Sequence, residues 1–178
     1  MKGKVNGKSK GSRFERELAK TFSNWYFGDP DAIVRNATSG ALSTTRGNVG
    51  IPSGDLQQIK HHEKPFPYSV EAKHHKEFKI EHLLFERPRS KVYRAWVQCR
   101  RDALKDKKIP LLVFKVNFQA SYCVLDIEQF SSVVKLALMK LLKTYCVTGS
   151  VLIVSLDDFL KSTAITDFFK EHYNVLQR

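Results

Sequence analysis

The first hydrophobic pattern in the chain has apolar residues at three- and four-residue steps, the spacing of one face of a helix: Phe14, Leu18, Phe22 and Trp25. Ser12 followed three residues later by Glu15 matches a capping box, so the helix is predicted to begin near Ser12. It should end near Phe27, because the next three residues are Gly-Asp-Pro, a strong helix breaker. The pattern predicts an amphipathic first helix that packs on a core.

Further along, short apolar runs rich in β-branched and aromatic residues predict strands. The runs cover residues 32–35, 56–59, 68–72, 111–114, 122–125 and 151–154. Helical spacing predicts helices at 90–106 and 130–145 and from 156 onward, with a short element at 80–84. Residues 36–54, rich in Gly, Ser, Thr and Asn, predict a surface loop. Strands mixed with helices predict an α/β fold layered around one central sheet.

Two of these helices carry further signals. The apolar face predicted for the helix at 90–106 consists of Val92, Ala95, Trp96, Cys99 and Ala103. Gln98 belongs to its polar side, and exposure of that side to water explains a glutamine there better than contact with a nucleotide. Ser155 and Asp158 form a capping pair for the last helical region.

The chain is also strongly basic. Its 178 residues carry 30 Lys and Arg against 18 Asp and Glu, a formal net charge of +12 at pH 7. Such a surplus favours a polyanion as partner, because each phosphate that a cation neutralises releases condensed counterions. A solvated basic surface is the plainer explanation. The charge therefore favours nucleic acid but names no chemistry.

Length and composition set the organisation. The chain is long enough for one ordinary domain, expected at 11–178. Residues 1–10 carry four lysines among Gly, Asn and Ser, which predicts a flexible basic arm along DNA or an untidy terminus. Three scattered cysteines without a CxxC pair do not indicate a zinc site, and no stretch is long and apolar enough to span a bilayer. We expect a cytoplasmic protein, in the host cytoplasm if it is viral.

The residues suited to chemistry lie around two neighbouring strands. Asp55 precedes one strand, and the triplet Glu71-Ala72-Lys73 ends the next. Because side chains alternate along a strand, Glu71 and Lys73 should share a face. An antiparallel hairpin, returning through the prolines between the two strands, would bring Asp55 beside Glu71. Two carboxylates and an ammonium group would then converge at one sheet edge.

This set is suited to phosphodiester cleavage. Mg²⁺ prefers hard oxygen ligands and keeps waters and phosphate oxygens in its shell. We predict Asp55, Glu71 and the backbone carbonyl of Ala72 as its ligands. The ion would lower the pKa of a bound water and neutralise phosphate charge, while Lys73 orients the water or stabilises developing charge.

A cross-strand salt bridge on a solvated face would explain the same residues. Three observations favour the chemical explanation: an apolar strand precedes Glu71, a Gly-rich loop precedes Asp55, and an acid, Glu15, lies on the first helix. The capping box remains the structural alternative for Glu15.

Basic residues directly follow Lys73. His74, His75 and Lys76 are predicted to contact DNA phosphates, because they flank the catalytic lysine. Adjacent histidines on a strand point to opposite faces, so the pair is not expected to chelate one transition-metal ion.

The order of these motifs resembles the archaeal-type Holliday-junction resolvases and their phage relatives, within the PD-(D/E)XK nuclease superfamily. Residues 10–18, Lys-Gly-Ser-Arg-Phe-Glu-Arg-Glu-Leu, resemble the family's opening helix, whose acid corresponds to Glu15. Residues 34–40, Val-Arg-Asn-Ala-Thr-Ser-Gly, resemble the segment with a basic residue and an active-site serine, here Arg35 and Ser39. Gly54-Asp55 and residues 71–73 complete the order, and the resemblance covers roughly the first half of the chain.

The resemblance implies a restriction-endonuclease-like fold, with a mixed central β-sheet flanked by helices. Residues 11–117 would be the resolvase-like core and 118–178 a C-terminal extension packed on it. It also implies a two-fold homodimer, since a symmetric dimer presents two active sites to a pseudo-symmetric four-way junction.

For the site, the resemblance implies Mg²⁺ or Mn²⁺ as cofactor, with Glu15 reaching the ion through water. Ser39 joins the catalytic set. Lys10, Arg13 and Arg35 are expected to contact DNA.

The chain departs from the family pattern in places that leave the substrate open. Gly54 stands where the family usually has Pro before the acid, and the loop at 36–54 is long. We predict a metal-dependent endonuclease selective for branched DNA, with a part in DNA recombination. The alternatives are cleavage of flaps, nicked or linear duplex DNA, and a catalytically silent DNA-binding module.

Overall fold

The computed structural model describes residues 7–36, 53–63, 65–77, 79, 81–84, 87–126, 145–148 and 151–162. The helices are α1 (Gly7–Phe27), α2 (Glu81–Leu84), α3 (Lys91–Lys105) and α4 (Leu156–Lys161). The strands are β1 (Ile33–Arg35), β2 (Leu56–Gln58), β3 (Tyr68–His75), β4 (Ile109–Val116), β5 (Ser121–Asp126), β6 (Tyr145–Thr148) and β7 (Val151–Ser155). None of the helices within these ranges is long and apolar enough to cross a membrane.

A five-stranded mixed sheet is the centre of the fold. Its strand order is β3-β4-β5-β7-β6, with β3 at one edge. Strands β3 and β4 run parallel and pair Tyr68 with Ile109 through His75 with Val116, while the remaining neighbours are antiparallel. Helix α3 makes the crossover between the parallel strands, as a parallel pair requires. The predicted mixed sheet flanked by helices is confirmed.

Side chains alternate along these strands and build an apolar layer on each face of the sheet. One layer packs against α1 and α4 and includes Phe14, Phe22, Val70, Ala72, Val113, Cys123, Leu152 and Phe159. The other packs against α3 and includes Val92, Trp96, Cys99, Leu112, Phe114, Val124 and Ile153. Because Glu71 lies between Val70 and Ala72 in the chain, its side chain points toward α3.

Helix α3 confirms the predicted cap and apolar face. The hydroxyl of Ser90 caps the N-terminus and accepts a hydrogen bond from the backbone N–H of Tyr93 at 3.2 Å. All five residues of the predicted apolar face are buried. The helix is therefore fixed against the sheet beside β3.

Helix α1 begins earlier than predicted. It starts at Gly7, so Ser12 lies inside the helix and the capping box predicted for Ser12 and Glu15 is wrong. Residues 7–10, which we expected in a flexible arm, form its first turn. Lys10 Nζ donates to Asn117 Oδ1 at 3.0 Å. This long-range contact ties the beginning of the helix to the end of β4.

The hairpin that we expected between β2 and β3 is also wrong in its pairing. Strand β2 pairs antiparallel with β1, with Arg35 opposite Leu56, in a separate two-stranded sheet. The hydrogen bond from Asp55 N to Val70 O, 2.8 Å, joins the beginning of this small sheet to the edge of β3. Asp55 still lies beside Glu71, but the contact with Val70 places it there and not a hairpin of β2 with β3.

The C-terminal part contributes to the same sheet. Strands β5 and β7 form at the predicted apolar runs and pair antiparallel with each other, and β6 adds an edge that the sequence pattern did not indicate. Ser155 caps α4 and accepts a hydrogen bond from Asp158 N at 3.0 Å, which confirms that capping pair. Trp25 Nε1 of α1 donates to Leu160 O at 2.8 Å. The helix predicted at 130–145 lies outside the described residues, except Tyr145, which begins β6.

Candidate active site

Asp55 is held at the edge of β3 by three backbone contacts. Its N–H donates to Val70 O, and its Oδ2 accepts the N–H of Ala72 at 2.9 Å. Its carbonyl accepts the N–H of Asn36 at 2.8 Å. The side chain of Asn36 also donates to Gly54 O at 3.1 Å. The carboxylate is buried and its direction is set by the backbone of β3.

The backbone conformation at position 54 explains why Gly stands before Asp55 where the family usually has Pro. Its φ of +93° lies in the region that favours glycine. A Cβ built there would lie 2.9 Å from Val70 O and 3.2 Å from Ser69 Oγ. Asp55 can approach β3 closely because the preceding residue has no side chain.

We therefore expect Gly54→Ala to destabilise the protein by roughly 2–4 kcal/mol, from backbone strain and the clash together. Gly28→Ala is a matched control, because Gly28 also has a positive φ of +68° but nothing within 4 Å of its Cβ position. That change should cost about 1 kcal/mol. Urea unfolding of the two variants measures the difference, and equal losses would contradict close packing of Gly54 on β3.

Glu71 and Lys73 share the α3 side of β3, as predicted from strand alternation. Lys73 Nζ donates to Glu71 Oε1 and lies 3.7 Å from Asp55 Oδ2. Glu71 is buried, and its Oε2 accepts from Gln98 Nε2 of α3 at 3.5 Å. The lysine ammonium therefore lies between two buried carboxylates, and Gln98 contacts this set although we had assigned it to the helix surface.

The electrostatics follow from burial of these like charges. Burial and the nearby negative charge of Asp55 raise the pKa of Glu71 to about 7, against the opposing effect of Lys73. Burial alone would lower the pKa of Lys73, but the charges of Glu71, Asp55 and Glu15 and the bond to Glu71 raise it. Lys73 is thus held as a cation, and Glu71 is poised to bind a proton or another cation near neutral pH.

Glu15 of α1 reaches the same region. Its Oε2 accepts a hydrogen bond from Arg35 Nε, and both side chains are partly buried. Its charge contributes to the raised pKa of Lys73, so the acid lies within electrostatic range of the site. The sequence motifs that carry Glu15 and Arg35 therefore meet in space, which their separation of 20 residues does not show by itself.

The other predicted residues are spread more widely. Ser39 lies outside the described residues. Arg13 is exposed and pairs with Glu17, one turn along α1, at 2.8 Å. Lys76 is exposed at the end of β3.

The two histidines take opposite faces, as predicted. His74 packs its ring against Phe14 of α1, 5.6 Å between centroids, and its Nε2 lies 3.2 Å from Asn117 Oδ1. His75 is partly buried, and burial followed by the charges of Lys91 and Lys73 lowers its pKa. Lys91 is the first residue of α3, so the environment of His75 is on the other face of the sheet.

Two residues whose hydrogen bonds hold the site in place were not predicted from the sequence. Asn36 was assigned only to a loop, although it binds both Gly54 and Asp55. Asp106, at the C-terminal end of α3, accepts the N–H of Ser53 at 2.5 Å and its hydroxyl at 3.3 Å. A polar residue at a helix end and an Asn beside a strand are too common to indicate such contacts.

Within the described residues, no group of three or more His, Cys, Asp or Glu side chains is arranged to hold a metal ion. The candidate site instead offers hard oxygen donors, namely two buried carboxylates and the backbone oxygens at the edge of β3. This set fits a cation that keeps much of its water, such as Mg²⁺, and does not fit a transition metal held by nitrogen and sulfur.

A mixed sheet with a buried Asp–Glu–Lys set at its edge strand defines a nuclease-type α/β protein. A family model described as "Phage putative PDDEXK endonuclease" matches residues 6–170, and the chain belongs to that family. The family confirms the predicted superfamily and the endonuclease class, implies DNA as substrate, and its superfamily generally uses divalent metals. Searches of curated proteins and of solved structures gave no match.

Proposed function

We propose that this protein is a Mg²⁺-dependent endonuclease that cleaves branched DNA such as four-way junctions. The observation that carries the proposal is the buried pair of Asp55 and Glu71 with the ammonium group of Lys73 between them. Two buried acids at one sheet edge are costly for folding, because each raises the energy of the other's charge. Such a cost is typical of a functional site.

Asp55, Glu71 and the carbonyl of Ala72 would hold the ion. The backbone N–H and C=O groups of every second residue along a strand point to the same edge. Val70 and Ala72 are two residues apart, and Val70 O accepts the N–H of Asp55 at the open edge of β3. The carbonyl of Ala72 therefore shares the open edge with Asp55. When bound, the ion supplies a water of lowered pKa and neutralises charge on the scissile phosphate.

Lys73 acts as a cation in this proposal. Its raised pKa keeps it protonated at neutral pH, so it is a donor to the attacking water or to a phosphate oxygen and not a base. Glu15 and Ser39 complete the proposed catalytic set, with Glu15 reaching the ion through water. Arg35 holds Glu15 by their ion pair.

The proposed DNA contacts are basic residues of α1, β1 and the end of β3. They are Lys10 and Arg13 of α1, Arg35 of β1, and His74, His75 and Lys76 at the end of β3, within a protein of net charge +12. Phosphate contacts of this kind give affinity and orientation without reading sequence. Preference for a branch point and assembly as a homodimer rest on the order of the motifs and on the two-fold pseudo-symmetry of a junction.

Cleavage of a matched set of substrates tests the proposal. We expect the protein with Mg²⁺ to cut a synthetic four-way junction at symmetry-related positions. A flap, a nicked duplex and a linear duplex of the same sequence should be cut more slowly. Chelation of the metal should stop all cleavage, and Mn²⁺ should restore it.

The outcomes separate the parts of the proposal. Equal rates on junction and linear duplex would contradict selectivity for branches but leave the nuclease in place. Faster cleavage of the flap would identify that as the substrate. Intact DNA across metals and pH values would contradict the nuclease proposal and favour a silent DNA-binding module.

A further inference from the structure

An aromatic side chain projects from the sheet at the same end as the active site. Phe118 lies in the turn between β4 and β5, and its relative exposure of 105% is the highest among the exposed large hydrophobic residues of the described ranges. Its φ of +63° is also unusual, because bulky residues avoid the left-handed region. The tight turn accounts for the positive φ at this position, but it favours Gly or Asn there and not a bulky ring. Among the residues that the structure describes, the Phe118 ring packs on no other aromatic or core side chain, so packing does not account for the choice of Phe.

The turn that carries Phe118 is pinned on both sides of it. Asn117 N donates to His75 O at 3.3 Å, and Gln119 N donates to Val116 O at 3.1 Å. The side chain of Asn117 is held by Lys10. The ring is therefore presented to solvent by a fixed backbone, which lowers the entropy that a partner would have to remove.

The position of the turn relates it to the site. His75, the neighbour of Asn117, is two residues beyond Lys73 on the same strand, a distance of about 7 Å along β3. Two lysines lie close to the turn: Lys10, bonded to Asn117, and Lys115, whose Nζ is 5.8 Å from the centre of the Phe14 ring. An exposed aromatic ring beside cations is the combination with which proteins stack bases and hold the attached phosphates.

We infer that Phe118 binds an unstacked base of the DNA substrate, within a few nucleotides of the scissile phosphate. The inference rests on the proposed function and gives it a structural basis for substrate choice. In linear duplex DNA the bases are stacked on one another, so the ring gains little. At a branch point the continuous stack of base pairs is interrupted, so a base there costs less to unstack and can stack on Phe118.

The experiment uses the full chain with Asp55→Asn, which separates binding from cleavage. On this background we compare Phe118→Gly, Phe118→Trp and the control Leu104→Ala, which removes another exposed apolar side chain, 81% exposed, from α3. Affinities are measured for a four-way junction and for a linear duplex of the same length and sequence. A 2-aminopurine base beside the branch point reports unstacking.

We expect Phe118→Gly to weaken junction binding by about 5- to 150-fold and to abolish the rise in 2-aminopurine fluorescence. Binding to the duplex should not change, and the Trp variant and the Leu104 control should behave like the parent. Glycine adopts φ of +63° without strain, so thermal unfolding should not occur at a lower temperature.

Equal losses on junction and duplex, or no loss on either, would overturn the inference. A change of oligomeric state in Phe118→Gly would also overturn it, because the ring would then contact a second copy of the chain. Failure of the proposed function looks different: the unsubstituted protein would cleave no DNA, whatever residue stands at position 118.

Discussion

Replacing Asp55 by Asn should reduce DNA cleavage at least about 10³-fold, comparable to the loss of a principal charge-stabilising group in other enzymes. Asn keeps the shape of Asp and can still accept the hydrogen bond from Ala72 N. It loses the charge that we propose to bind a hard cation and that faces Lys73 across 3.7 Å. The protein should stay folded while its metal site fails.

DNA binding gives the second readout of this variant. Binding to a junction should persist or become tighter, because a negative charge near the phosphates is removed. Glu71 should also titrate at a lower pH in the variant, since the charge of Asp55 contributes to its raised pKa. Single-turnover cleavage and fluorescence anisotropy measure the two effects separately.

Asp31→Asn is the matched control, because Asp31 is exposed in the turn between α1 and β1. It makes the same chemical change at an exposed residue outside the candidate site and should leave cleavage within about twofold, as surface substitutions usually do. If Asp55→Asn cleaved as fast as this control, the carboxylate pair would be structural only. The protein would then have to cut DNA, if at all, with other residues.

The parts of the structure that could be predicted are those set by local periodicity. Helix α3 followed from its Ser90 cap and apolar spacing, because 15 residues of one pattern leave little choice of buried face. The shared face of Glu71 and Lys73 followed from strand alternation alone. Both required no knowledge of what lies elsewhere in the chain.

The errors concern tertiary contacts, which leave no local pattern. The bond from Lys10 to Asn117 crosses 107 positions, and it accompanies a first turn of α1 in which Gly7 and Ser9 favour a helix less than Ala or Lys would. Strand β2 has the same short apolar content whether it pairs with β1 or β3. The close packing of Gly54 on Val70 O, which determines where Asp55 sits, depends on a backbone approach that only coordinates reveal.

The energetic consequence of the carboxylate pair can be measured without any DNA. In the metal-free protein the pKa of Glu71 is raised from 4.5 to about 7, so the folded state binds this proton more tightly than the unfolded state. The contribution of Glu71 to the free energy of unfolding is fully present below about pH 4.5, is lost as the pH rises through about 7, and does not change further at higher pH. The shift corresponds to about 3 kcal/mol of lost stability.

Glu71→Gln isolates this effect, because its side chain has no charge to bury. We expect the variant to be more stable than the unsubstituted protein by about 3 kcal/mol at pH 8 in a metal chelator, and nearly equal to it at pH 4.5. His74 and His75, whose pKa values are lowered mainly by burial, change stability in the opposite direction with pH. Their contribution is common to both proteins and cancels in the difference.

Urea unfolding across pH 4.5 to 8 measures that difference, and adding Mg²⁺ tests the link to the proposed function. The ion should stabilise the unsubstituted protein above pH 7, where Glu71 is ionised, and much less at pH 5, where a proton occupies the site. Glu71→Gln should gain little at either pH. Parallel pH profiles of the two proteins would contradict a buried, repelled Glu71, and a pH-independent gain from Mg²⁺ would mean that the ion binds elsewhere.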